Sequence, residues 1–237
     1  MNKNNCLICN EEVLYLSKSE KLTCYYCKNE YESSMVCKNG HYVCDNCHSK
    51  DALTVINEYC NKSISTNPIN MAIDLMKHPA IKMHGPEHHF LVPAVLISAY
   101  LNKVGKIEDK ERLLNEGKKR SKNVLGGFCG FYGACGAGVG CGIYMSLILE
   151  ATPLSKESWG ICNLMTSKSL ENISSFGGPR CCKRDSFVAI KSAIDFTEEY
   201  LNVELDKNEN ILCEFMNLNK ECLKEKCKFY NEDLVYA

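Results

Sequence analysis

"CYYCKNEYESSMVCKNGHYVCDNC", residues 24–47, divides the chain into two unlike parts. It carries Cys24, Cys27, Cys37, His41, Cys44 and Cys47, and "CLIC" upstream adds the close pair Cys6 and Cys9. A C-x2-C pair converges from one tight turn, and four soft or borderline ligands complete a tetrahedral zinc. Eight ligands therefore make two zinc sites. Residues 1–48 are polar and broken into short segments. In such a segment metal supplies the folding energy that a small apolar core cannot. Helical periodicity begins after residue 48. The expected architecture is mostly α: a two-zinc module over residues 1–48, then an α-helical, cysteine-rich domain over residues 49–237.

The spacing from Cys24 to Cys47 resembles the first part of a RING-type cross-brace, with its usual last pair replaced by Cys6 and Cys9 upstream. That resemblance implies a treble clef in which Cys24, Cys27, Cys44 and Cys47 share one zinc. Cys6, Cys9, Cys37 and His41 would share the other. Sequential pairing is the alternative. No basic stripe with interleaved aromatics accompanies the ligands, so nucleic acid is not indicated.

Downstream, "DALTVINEYCNK" places Leu53, Ile56 and Cys60 on one helical side. "NPINMAIDLMKH" offers Asn67 as N-cap with Pro68 at the first helical position. "PEHHFLVPAVLISAYLNKV" repeats that start at Pro86. "EDKERLLNEGKKRSK" reads as a solvated helix. "GIYMSLILEA" is apolar nearly all round and reads as a buried one, with Ile143, Leu147 and Ile148 deep inside. Two amphipathic helices follow, in "KESWGICNLMTSKSLENI" and "DSFVAIKSAIDFTEEYL".

The glycine run "GGFCGFYGACGAGVGCGIYM", residues 126–145, satisfies neither the Walker A pattern nor G-x-G-x-x-G. It opens the buried helix, whose free amides favour an anion. Cys135 and Cys141 are therefore expected to have lowered pKa values and to act as thiolates or ligands. With Cys129 they suit an iron–sulfur cluster, in which cysteine thiolates hold the iron. In "GGPRCCKR", Cys181 and Cys182 stand beside Arg180 and Arg184, candidates to hold an anionic group. Cys213, Cys222 and Cys227 need one more cysteine, Cys181 or Cys182, to complete a four-cysteine site, as structural zinc or cluster. "HGPEHH" formally matches H-x-x-E-H, but Gly85-Pro86 interrupts the single helix that a zinc hydrolase needs. His84 or His88 is the candidate proton carrier.

"HGPEHH", "FCGFYGACGAGVGCGI", "ATPLS", "GGPRCCKR" and the terminal C-x8-C-x4-C together resemble an uncharacterised cysteine-rich domain-of-unknown-function family of anaerobic bacteria and methanogenic archaea. It is sometimes joined to methyltransferase-like domains. The resemblance spans nearly the whole chain, including the N-terminal knuckles, and implies no activity.

Net charge is −1 and apolar residues make up 45%, so the chain can bury a core and shows no global pull toward nucleic acid or membrane. The start has no signal-peptide pattern, and no run is apolar enough to span a bilayer. The 17 cysteines are an odd number, and in a reducing compartment clustered cysteines point to metal or reactive thiols. The expectation is a cytoplasmic metalloprotein. Its second half would hold an iron–sulfur or thiol-based redox or sulfur-handling site, acting on a small anionic or sulfur-containing substrate or a redox partner protein. Cys135, Cys141, Cys181, Cys182, His84 and His88 would carry the chemistry. A non-catalytic, zinc-stabilised adaptor is the alternative.

Overall fold

The computed structural model describes residues 6, 8–9, 11–44, 47, 51–208 and 210–232. The expected boundary at residues 48/49 lies outside these. The N-terminal module is built on one hairpin, β1 (Val13–Thr23) and β2 (Glu30–Cys37), paired antiparallel from Val13↔Cys37 to Thr23↔Glu30. Its strands bury almost nothing. The module's core is instead Cys24, Cys44 and Cys47, with Tyr26, Tyr31, Tyr42 and Val43 packed around them. Tyr26 docks the module on the helical part: its hydroxyl donates to the Lys77 carbonyl (3.1 Å), and its ring lies 4.1 Å from the His78 ring.

Eight α-helices follow among the described residues: α1 (Ala52–Lys62), α2 (Pro68–Met76), α3 (Glu87–Val104), α4 (Lys110–Ser121), the short α5 (Phe128–Phe131), α6 (Gly136–Ile148), α7 (Glu157–Ser174) and α8 (Cys182–Leu201). Their starts follow local chemistry. Asn67 caps α2 by accepting from the Asn70 amide (3.0 Å), with Pro68 in the first turn, where a missing amide costs nothing. Asp51 caps α1 in the same way. Gly105, at φ +73, ends α3. The hub is α3, buried along most of its length and packed on α1, α2, α4, α6 and α8.

Two expectations need correction. Helix α4 is not solvated all round: Leu113 and Leu114 are buried, and the buried Lys110 ammonium donates to the Ser63 carbonyl (2.8 Å). On α6, Leu147 is buried, but Ile143 and Ile148 are only half-buried, and the deepest side chains are Cys141, Tyr144 and Met145.

The alternating glycines of α6 form two interleaved i,i+4 pairs, each turned to a different neighbour. A Cβ at Gly136 or Gly140 would strike His89 or Pro93 of α3; one at Gly138 or Gly142 would strike Leu170 or Thr166 of α7. The run thus lets α6 lie close to two helices at once. At Gly140 an added Cβ meets Pro93 Cδ at 2.9 Å and the His89 carbonyl at 3.2 Å. Valine there gains a few tenths of a kcal/mol in helix propensity. Overpacking against a rigid backbone outweighs that gain at about 1–3 kcal/mol. Gly140→Val should therefore lower the thermal midpoint, and an unchanged midpoint would remove the close-packing account.

Candidate metal centres and a thiol-lined cavity

The N-terminal ligands lie at the two ends of the hairpin. Cys6 and Cys9 precede β1, Cys37 ends β2, and His41 follows a reversal at Gly40 (φ +80). At the other end the strand connection supplies Cys24 and Cys27, with Lys28 at φ +60 closing the turn. The chain then passes back along the module, the Tyr42 carbonyl accepting from the Tyr25 amide (2.8 Å), and delivers Cys44 and Cys47. The ligand atoms of Cys6, Cys9, Cys37 and His41 lie within 4.8 Å of one another, and so do those of Cys24, Cys27, Cys44 and Cys47. Each group could hold a metal ion, and the grouping is the crossed one rather than the sequential one.

With metal–sulfur bonds of about 2.3 Å, a tetrahedral site has ligand–ligand edges of about 3.8 Å. The Cys9–Cys37 sulfurs are 3.5 Å apart, Cys27–Cys44 3.9 Å, and Cys6 Sγ lies 3.8 Å from His41 Nδ1. These are the edges of such a tetrahedron. Amides point at the sulfurs as well: Ile8 at Cys6 (3.4 Å), Asn39 at Cys37 (3.3 Å) and Cys44 at Cys24 (3.4 Å). Such donors favour the charged thiolate over the thiol.

In the helical domain, His84, His89, Cys129, Arg180 and Cys182 line one open cavity of about 540 Å³. They arrive from three segments of the chain. His84 precedes α3, His89 lies in its first turn, Cys129 sits on α5, and Arg180 and Cys182 lie at the start of α8. Gly127, at φ +86, turns the chain into α5. His89 Nδ1 lies 2.8 Å from the Val124 carbonyl, which makes that nitrogen the donor and fixes the ring's orientation. Behind the cavity the Cys135 thiol points at Asp185 Oδ2 (4.0 Å), and the Cys181 amide donates to the same oxygen (3.4 Å).

Several expected roles are corrected by this geometry. Cys135 reaches the neighbourhood of Cys182, but Cys141 does not: it is fully buried, and its thiol donates to the Ala189 carbonyl (3.3 Å) inside the helix packing. Neither thiol is acidified. Burial pushes Cys135 up to about 12, the Asp185 charge adding to it against the Ala137 amide, and pushes Cys141 up to about 12 as well. Loss of solvation outweighs the helix-end amides here. Burial also pushes Cys182 up to about 11.

His88 is enclosed, with Nδ1 at the Gly85 carbonyl (3.1 Å), and burial drives its pKa down to about 3. It cannot serve the cavity as a proton carrier, whereas its neighbour His89 faces it. Arg184 is not free for an anion. It is 4% exposed, its Nε donates to Asp185 Oδ1 (2.9 Å), and its guanidinium also donates to the carbonyls of Gly177 and Pro179. Arg180 is exposed at the cavity rim. Cys213, Cys222 and Cys227 do not join Cys129 and Cys135. They line a separate recess with Cys181.

Sequence reasoning placed the histidine cluster at a pocket but singled out His88 rather than His89, and it missed Asp185. Asp185 carried a usable signal, an acidic residue in the first turn that reaches back to the capping amide.

Among the described residues no helix is long and apolar enough to cross a membrane. The model of a family of unknown function, DUF5714, matches residues 56–230. The match starts after the eight N-terminal ligands, so the likeness does not extend to the knuckles. No curated protein and no solved structure matches the chain.

Proposed function

This chain belongs to the DUF5714 family, and we propose that it is a cytoplasmic metalloprotein. Its N-terminal module folds around two zinc ions. Its helical domain binds a small sulfur-containing anion for redox or sulfur-handling chemistry. One observation carries the second part: two thiols, two imidazoles and an exposed guanidinium meet on a single open cavity from three separate segments of the chain. Arg180 supplies the anion contact. Cys129 and Cys182 are the thiols that meet the bound molecule, and His84 and His89 take or give protons. Thiolate–imidazole ligand sets are those that zinc prefers, which supports zinc in the module.

Differential alkylation of the metal-replete protein with iodoacetamide tests the cavity. Cys129 and Cys182 should be labelled well before Cys141 and Cys60, which are fully buried. Thiosulfate should slow labelling of the first two, and Arg180→Ala should weaken that protection by about tenfold, the loss of one charged contact worth about 1.4 kcal/mol. A non-catalytic adaptor predicts labelling by exposure alone, with no protection by the anion.

A further inference from the structure

Cys181 and Cys182 are adjacent in sequence, yet the start of α8 turns them to different places. Cys182 opens on the cavity described above. Cys181 lines a narrow recess shared with Cys213, Cys222 and Cys227. We propose that Cys181, Cys213, Cys222 and Cys227 hold a four-thiolate iron–sulfur cluster, a centre separate from both zinc sites and independent of the anion-binding reading of the cavity.

The chain around these cysteines is built like the N-terminal knuckles. The Phe215 amide points at Cys213 Sγ (3.4 Å) and the Lys224 amide at Cys222 Sγ (3.4 Å), each two residues beyond its cysteine. Ile8 and Asn39 meet Cys6 and Cys37 with the same offset. Lys224, at φ +49, bends the chain between Cys222 and Cys227. Beyond α8 the described tail has two short 3-10 turns and no other regular element, Met216–Leu218 and Lys224–Lys226. A centre ligated by three tail cysteines and by Cys181 would fasten that tail to the helical domain.

Charge points the same way. Lys183 is 1% exposed, and its ammonium donates to the Met76 and Ile81 carbonyls while lying 4.9 Å from the Phe215 ring centroid. Among the described residues no carboxylate comes within ion-pair distance of it; Glu87 acts on it only from further away. A buried cation without a paired anion is costly. Four thiolates around iron leave a net negative centre two residues away along the chain.

Spacing sets this group apart from the two N-terminal sites. Both N-terminal groups are drawn within 4.8 Å, as one zinc requires, but among the described residues no three of these four sulfurs meet that limit. In a cluster each cysteine binds a different iron, so the sulfurs stand further apart. Met83, Phe187 and Phe229 give the recess an apolar wall, the surroundings that shield such a centre from water.

The test uses the full chain, produced and purified without oxygen. Metal and sulfide analysis should give about four iron and about four sulfide per chain beside about two zinc, with broad visible absorption. Cys222→Ser and Cys227→Ser should each abolish iron, sulfide and colour while keeping both zinc ions and the helical circular-dichroism signal, which shows that the variants still fold. Cys182→Ser should keep the colour. Protein without iron and sulfide, a third zinc in their place, or colour lost with Cys182→Ser but kept in Cys222→Ser would each overturn the proposal. None of these results depends on whether thiosulfate protects the cavity.

Discussion

Cys24→Ala is expected to unfold the whole N-terminal module rather than loosen it. Two-stranded hairpins are marginal in water, and this one buries no apolar face that could offset its chain entropy. Its core consists of three metal-ligand candidates, Cys24, Cys44 and Cys47, with tyrosines and Val43 around them. Structural zinc contributes about 10–16 kcal/mol in such modules, and that is folding free energy because the unfolded chain has no preformed site. Cys24 is fully buried and receives the Cys44 amide, so its removal strips one ligand and leaves that donor without a partner. The crossed order spreads the damage. The chain serves Cys37 and His41 at one end of the hairpin before Cys44 and Cys47 at the other, so losing one end frees the segment that completes the other. Zinc content should fall from about two to at most one per chain. Hydrogen exchange should show β1 and β2 unprotected, while α3 and α6, which have their own core, stay protected. A variant that keeps both zinc ions and a protected hairpin would end the zinc-folded reading. A strong chelator acting on the unaltered protein should reproduce the pattern.

The module was legible because its ligands are local pairs whose spacing is itself the chemistry. Much of the helical frame was legible for a similar reason: Asn67, Pro68 and Pro86 mark helix starts within one or two residues. The glycine run misled because its alternation is not a local signal. Gly136 with Gly140 and Gly138 with Gly142 mean something only once α3 and α7 stand on either side. The histidines failed likewise. On a helix, adjacent residues point about 100° apart, so one of His88 and His89 had to enter the core. α3 is buried so widely that apolar periodicity could not say which. Cys181 and Cys182 are the sharpest case. Which of two adjacent thiols joins the tail cysteines depends on the tertiary course of residues 210–232, and spacing carries no trace of that.

Arg184 and Arg180 looked alike in the sequence, as two cations flanking a cysteine pair, and stability should separate them strongly. Removing one partner of a buried ion pair leaves an uncompensated charge and costs about 3–5 kcal/mol. Arg184→Ala would leave Asp185, itself 4% exposed, with its carboxylate in that position. Burial already pushes the Asp185 pKa up, and Arg184 is the charge that most pulls it down. The substitution also strips the donors from the Gly177 and Pro179 carbonyls, which shape the turn leading into Cys181. For a chain of this length the thermal midpoint should drop by roughly 6–20 °C, at about 2–4 °C per kcal/mol. Arg180 is exposed, and its replacement by alanine should stay within about 0.5 kcal/mol. An anion-binding role for Arg184 predicts the reverse in the absence of ligand: little change on its removal, and stabilisation when the anion is added. A double-mutant cycle with Asp185→Asn decides the cause. If the ion pair carries the effect, Arg184→Ala together with Asp185→Asn should cost less than the sum of the two single changes by more than about 1 kcal/mol. Additive losses would shift the weight to the carbonyl contacts. Arg184 would then act through the 177–179 turn, setting where Cys181 and Cys182 part toward their two sites.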